Sequence, residues 1–124
     1  MTTSQRLRFR HIGLHTGDLD AALGFFSERL QLPVLSRGPA DDPMLADMVG
    51  LPPEQLPTAT LRFPETHVTI RLVENRAGAR VDADARNQGT CHVAFYTDDL
   101  DSTWACLADG GSRLVSEEIV SIVG

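Results

Sequence analysis

The chain contains no apolar run approaching the ~20 residues that a membrane-spanning helix needs. Its first ten residues, MTTSQRLRFR, lack the apolar core of a secretory signal. The expected location is therefore the cytoplasm. Cysteine is scarce: Cys91 and Cys106 make neither a disulfide framework nor a metal cluster of their own. The expected state is two buried free thiols in a reducing compartment, with Cys91 pointing away from His92 toward the helix that carries Cys106. Positive charge is also short, 11 Lys and Arg against 17 Asp and Glu, for a net charge of −6 with neutral histidines. General nucleic-acid binders and binders of anionic membranes need a basic face, so neither class fits. A local basic pocket is still compatible with this balance.

What is present is an ordinary soluble composition, 42% hydrophobic and 23% charged, in 124 residues. That length suits one domain with a real core. A stretch occurs twice: HIGLHTGDLDAALGFF over residues 11–26 and HVAFYTDDLDSTWACL over residues 92–107. The offset, 92 minus 11, is 81 residues and holds without a gap. It superposes His11 on His92, Thr16 on Thr97, Asp18 on Asp99, Leu19 on Leu100 and Asp20 on Asp101. Two copies of one supersecondary unit predict pseudo-symmetric packing, with the two histidines at equivalent points.

Taken in order, residues 9–16 alternate as a strand, Ile12 and Leu14 on one face and His11, Gly13 and His15 on the other. Asp18 is placed to cap a helix, and Leu19, Leu23, Phe26 and Leu30 carry its apolar stripe as far as about Leu30. Pro33 ends it, and residues 34–36 form a short strand. Residues 38–57 hold five prolines and are a long connection, either a lid that meets a ligand or a solvent-facing insertion, with residues 44–49 able to form a helical turn or two. Residues 58–63 and 67–73 alternate and predict a hairpin. Leu61, Phe63, Val68, Ile70 and Leu72 belong to its helix-facing side, and Thr58, Thr60, Arg62, His67, Thr69, Arg71 and Val73 to the opposite side.

The first module is thus β-α-β-β-β, about residues 8–74, followed by a polar linker over 75–89 and a second module over 90–124. In that module residues 90–97 predict a strand, Asp98 or Asp99 caps a helix to about Asp109, Gly110 and Gly111 stop it, and residues 113–117 predict another strand. Trp104, aligned with Leu23, is expected between helix and sheet, and His67, Glu117 and Glu118 at the surface. The second module lacks the hairpin found in the first. The chain is therefore expected to be a truncated form of a longer protein, or to have its open edge filled by a partner.

The fold class expected is α+β: one domain of two repeated βαβββ modules with a cupped mixed sheet, the second incomplete at its C-terminus. The stretches HIGLHTGDLDAALGFFSERLQL, HVTIRLVEN, GTCHVAFYTDDLDSTWACLADGG and LVSEEI together resemble the vicinal oxygen chelate superfamily. That group includes glyoxalase I, methylmalonyl-CoA epimerase, extradiol dioxygenases and the fosfomycin- and bleomycin-resistance proteins. LVSEEI is similar to the epimerase branch.

The resemblance implies a cupped cavity with a divalent metal, Fe, Mn, Zn or Ni, held between the modules. His11 and His92 match its first-strand ligand positions. A carboxylate ligand from the last strand of the second module would lie beyond Gly124. Arg71 stands where glyoxalases carry a ligand glutamate, and a guanidinium cannot ligate a metal. Glu74, three residues on, should face away from the cavity on a regular strand. Two readings follow: a metal held by two histidines and a carboxylate, with Arg71 turned to substrate, or a metal-free site.

The inferred cavity-facing set is His11, His15, Thr60, Arg62, Thr69, Arg71, His92 and Tyr96. Arg71, Arg62 and Thr69 are the candidate substrate-binding residues, because a guanidinium fork matches a carboxylate or phosphate. Tyr96 and His15 are candidates for proton transfer. The function expected is a metal-dependent lyase, isomerase or dioxygenase acting on a small oxygen-rich, anionic metabolite. The alternative is a metal-free binding protein of the bleomycin-resistance type. A homodimer is the expected assembly.

Overall fold

Alternating side chains build four strands in the first half of the chain: β1 (His11–Thr16), β2 (Val34–Pro39), β3 (Pro57–Arg62) and β4 (Thr69–Glu74). They form one mixed sheet in the order β1-β4-β3-β2. β4 runs parallel to β1 and antiparallel to β3, and β2 is antiparallel to β3. This is a computed structural model, and it describes residues 6–40, 43–79, 88, 90–113, 116, 118 and 119. The chain divides into two compact units, Met1–Gly78 and Ala79–Gly124, each described by itself. Of the linker expected over 75–89, residues 80–87 and 89 lie outside the described residues.

In a strand, neighbouring side chains point to opposite faces. Ala59, Leu61, Ile70 and Leu72 accordingly share one face and are almost fully buried. Leu19 and Leu32 complete this core, with Leu14, Leu23, Phe26, Leu30 and Phe63 packed around it. Burying each large aliphatic side chain contributes about 1.5–3 kcal/mol, so this face is the main source of the sheet's stability. It is the face expected to meet the helix.

That helix is α1 (Leu19–Leu23), continued by a π-helical segment, Gly24–Arg29. The stretch expected as a single α-helix therefore widens after one turn. The Leu30 N–H donates to the Phe25 carbonyl at 3.0 Å and the Leu32 N–H to the Phe26 carbonyl at 3.0 Å. A π turn holds more residues per turn than an α turn, and here it delivers Leu32 to the core before Pro33. Gln31, with φ 58°, takes the left-handed conformation that commonly ends a helix.

The start of α1 is held from two sides. Asp18 Oδ1 accepts the Ala21 N–H at 3.1 Å, and Thr16 Oγ1 accepts the Asp18 N–H at 3.1 Å. The Leu19 N–H donates to Glu74 Oε1 at 3.0 Å, across 55 residues of chain. Glu74 is buried and ends β4, where it pairs with Thr16. It faces the helix layer, as its offset from Arg71 predicts.

In the second unit the cap is repeated. Asp99 Oδ1 accepts the Ser102 N–H at 3.0 Å and Thr97 Oγ1 accepts the Asp99 N–H at 3.3 Å, opening α3 (Leu100–Asp109). The two caps share their backbone shape, with φ −147° and ψ 101° at Asp18, and φ −137° and ψ 90° at Asp99. The copied sequence T-x-D-L-D therefore produces a copied turn.

The strand expected at 90–97 does not form among the described residues. Of the strand expected at 113–117 only Arg113 and Ser116 lie among the described residues. Cys91 is exposed and not buried as expected, Leu100 is exposed, and Trp104 is half-buried. Neither cysteine is in a disulfide.

The Glu74 contact sets a stability test. Glu74→Ala should cost about 1–3 kcal/mol, because it leaves a buried amide without an acceptor. Glu74→Gln keeps an acceptor oxygen and should cost less. Arg76→Ala removes only the exposed partner of the Glu74 ion pair and should cost at most about 1 kcal/mol. Urea denaturation followed by circular dichroism ranks the three, and equal losses for Glu74→Ala and Arg76→Ala would show that the amide contact carries no weight.

Candidate functional site

The sheet face opposite the helix is polar, and register orders it in rows. One row is His11, Thr69 and Arg62; the next is Gly13, Arg71, Thr60 and Ser36; the third is His15, Val73, Thr58 and Gly38. The structure thus brings His11, His15, Arg62, Thr69 and Arg71 onto one face of one sheet, with Thr60 among them. His11, Thr69 and Arg71 are half-buried, and His15 and Arg62 are exposed.

The third row is not open. Val73 is 1% exposed and packs with Ala40 and Leu56, against which Leu45, Val49 and Leu51 also lie. These residues belong to the long connection, which forms α2 (Pro43–Val49) and a 3₁₀ turn, Pro53–Gln55, before β3. The Ala40 N–H donates to the Leu56 carbonyl at 3.0 Å and extends the β2–β3 ladder beyond its last pair. In the same row Thr58 is buried and its hydroxyl donates to the Gly38 carbonyl at 3.3 Å. The connection expected as a lid or a solvent-facing insertion is instead a packed wall over one end of the polar face. Only Met44 and Met48 among its large apolar residues are strongly exposed.

The remaining candidates lie in the second unit. His92 and Tyr96 are both exposed, Tyr96 fully. Asp18 and Asp99 act as helix caps, and His67 is at the surface.

For a metal, the donor chemistry is mixed. Neutral imidazoles suit a divalent cation, and His11 and His92 supply one in each unit. The first sheet adds no carboxylate beside His11: Arg71 occupies the expected glutamate position, and Glu74 is turned to the other face and bonded to the Leu19 amide. Among the described residues no group of three or more His, Cys, Asp or Glu stands ready to hold a metal ion.

A groove of about 370 Å³ lies at the end of β4, between Leu51, Glu54, Pro57, Glu74 and Arg76. None of the predicted site residues lines it. No described helix is long and apolar enough to cross a membrane.

Alternation in the sequence pointed to the polar residues that β1, β3 and β4 place on this face, and left Ser36 of β2 unassigned. It missed the wall on Val73. The signal was present in the apolar residues Leu45, Val49, Leu51 and Leu56 of the connection, which need a buried surface to rest on.

Comparison with known proteins places residues 8–119 in the family model of the Glyoxalase/Bleomycin resistance protein/Dioxygenase superfamily. Among solved structures, a glyoxalase family protein from Bacillus cereus superposes with a TM-score of 0.71 at 21% identity, covering 98% of this chain and 84% of that one. A glyoxalase/dioxygenase from Nostoc punctiforme gives 0.67 at 17% identity, covering 97% and 85%. The trypanothione-dependent glyoxalase I of Leishmania major gives 0.65 at 19% identity, covering 92% and 73%. At these identities the likeness is one of fold. No curated protein matches the chain.

The wall sets its own test. Val73→Ala should cost about 2 kcal/mol, because the cavity it leaves cannot close fully. It should also speed proteolytic cleavage within residues 40–57, while a truncation in the other core, Leu72→Ala, should leave cleavage there unchanged under native conditions. Equal cleavage of the wild type and Val73→Ala would mean that Val73 does not hold the wall in place.

Proposed function

The chain belongs to the Glyoxalase/Bleomycin resistance protein/Dioxygenase superfamily, and on that premise we propose that it is a divalent-metal-dependent enzyme acting on a small, oxygen-rich, anionic metabolite. The observation that carries this reading is the polar face of the first sheet, where imidazole, guanidinium and hydroxyl groups line adjacent rows. His11 and His92 would hold the cation, Fe, Mn, Zn or Ni, as neutral imidazoles. A cation there supplies polarisation of a substrate oxygen.

The chain's own residues do the rest. Arg71, Arg62 and Thr69 orient the substrate through its anionic and hydroxyl oxygens. His15 and Tyr96 are the groups able to give or take a proton, as imidazole and phenol. The reaction class is a lyase, isomerase or dioxygenase step on that substrate. The cytoplasm is its proposed location, consistent with two cysteines outside any disulfide, and a homodimer its proposed assembly. Support for association comes from β2, an edge strand of the described sheet with Val34 and Leu35 exposed.

A second reading is favoured by a separate observation. Glu74 is committed to the Leu19 amide and Arg71 takes the ligand position, which suits a metal-free protein that sequesters an organic ligand.

Elemental analysis of the purified protein decides between them. The metal-dependent reading expects stoichiometric Fe, Mn, Zn or Ni in the wild type and its loss in both His11→Ala and His92→Ala. Metal that persists in both variants overturns the ligand assignment. A wild type that retains none of these ions after reconstitution selects the metal-free reading.

A further inference from the structure

We infer that the groove at the end of β4 is a binding site for a primary alkylammonium group, with Glu74 and Glu54 as its acceptors and an apolar wall for the alkyl chain. The site shares no residue with the polar face of the sheet. It stands whichever of the two functional readings holds.

Glu74 is the residue that points to a ligand. It is 8% exposed, and it lines the groove. Both bonds to its carboxylate fall on Oε1, one from the Leu19 N–H at 3.0 Å and one from Arg76 Nη2 at 3.2 Å. Among the described residues no buried side-chain nitrogen or oxygen lacks a partner. Oε2, which neither bond uses, is therefore open at the groove. A nearly buried carboxylate with one open oxygen is a strong acceptor, because little water competes for it.

The rest of the lining decides which cation fits. Glu54 and Gln55 of the 3₁₀ turn add a second carboxylate and an amide carbonyl. Arg76 is the one cation of the lining, so two carboxylates face one guanidinium and a negative charge is left over. Its side chain is 75% exposed, and an ion pair so open to solvent is weakly held. An ammonium carries three donors on a point charge and can bond single oxygens, whereas a guanidinium fork needs both oxygens of one carboxylate, and Oε1 is taken. A divalent metal of the calcium type needs more oxygen ligands than this lining offers. Leu51, Pro57 and Ala77 give apolar surface to an alkyl chain. Leu51 packs against the Val73 cluster and Pro57 opens β3, so these walls are fixed before a ligand arrives. At about 370 Å³ the groove has the size that small ligands occupy.

The test is a heteronuclear NMR titration of the full chain at neutral pH and low ionic strength, with EDTA present so that an amine is not read as a metal ligand. The probes are n-butylammonium, n-butyrate and 1-butanol, which share an alkyl chain and differ in charge. Saturable shifts at the amides of Gln55, Glu74 and Ala77 are expected with butylammonium, weaker ones with butanol and none with butyrate. Glu74→Gln, which keeps an acceptor for the Leu19 amide, should weaken butylammonium binding about tenfold. Glu54→Gln should weaken it about two- to fivefold, and Arg76→Gln, which removes the competing cation, should strengthen it by a similar factor. These two variants carry the test should Glu74→Gln prove unstable, because neither residue is buried. Glu28→Gln, at an exposed carboxylate outside the groove, should leave binding unchanged.

The inference is overturned if butylammonium leaves these amides unmoved, if butanol or butyrate binds as tightly, or if Glu54→Gln and Arg76→Gln both titrate like the wild type. Strengthening by Arg76→Gln is the outcome that a purely structural Glu74–Arg76 pair does not give.

Discussion

The hydrogen bond from the Leu19 amide to the Glu74 carboxylate joins the first helix to the last strand of its sheet, and much of the first unit follows from it. The amide is one of the donors that a helix start leaves without an intrahelical partner, and the carboxylate sits at the positive end of the helix dipole. Both groups are buried, so neither can exchange its partner for water at no cost. Thr16 is fixed by the same arrangement, since it pairs with Glu74 in the β1–β4 ladder while its hydroxyl anchors Asp18. β1, the turn, α1 and β4 are therefore locked as one piece. One consequence is chemical. The acidic residue nearest the polar face in sequence faces the helix and is occupied there, so the chemistry of the polar face is left to imidazoles, hydroxyls and guanidinium groups.

The second constraint is that a single sheet must bury both of its faces at one end and only one at the other. Ala59, Leu61, Ile70 and Leu72 bury the helix side along the whole strand length. On the other side burial is confined to the Val73 row, where the connection packs with Leu56 and Ala40. The β2–β3 ladder is lengthened by the Ala40–Leu56 bond, so the backbone leading into the connection is itself tied to the sheet. A segment with five prolines loses less conformational entropy on ordering than an ordinary loop, which makes a fixed wall cheaper to hold there than a mobile lid. Beyond that wall the polar face keeps two rows, one of His11, Thr69 and Arg62 and one of Gly13, Arg71 and Thr60.

Much of this was legible in the residues. Period-two alternation assigned Thr58, Thr60, Leu61 and Arg62 of β3 and the side chains of β4 to their faces, and the offset of three between Arg71 and Glu74 puts those two on opposite faces. The copied T-x-D-L-D sequence announced two caps, and Asp18 and Asp99 form them with nearly the same backbone angles. What was not legible depended on partners distant in sequence. Nothing local says that the Leu19 amide will meet Glu74, or that Val73 will be covered by Leu56. The π widening after Leu23 satisfies Leu32, a residue beyond the periodic stripe that predicted the helix. Residues 90–97 carry the alternation of a strand, yet alternation describes only a strand's preference, and a ladder needs a neighbour. The pairing of His11 with His92 is of the same kind: sequence equivalence makes it a natural proposal, and only metal chemistry on the protein can establish it.

The electrostatics of the ligand face put the two functional readings in order. Arg62 and Arg71 place two guanidinium groups in adjacent rows of the polar face. Under the metal-free reading proposed above, an anionic group on the ligand would suit them. A cation held at His11 stands in the row of Arg62 and beside that of Arg71, and like charges in a partly dehydrated site repel strongly. An anion bound beside both would lower that repulsion. Cation and anion must each strengthen the other's binding, since coupling between two ligands is reciprocal. Under either proposed reading, an anionic group on the ligand and a cation at His11 would favour one another on this face.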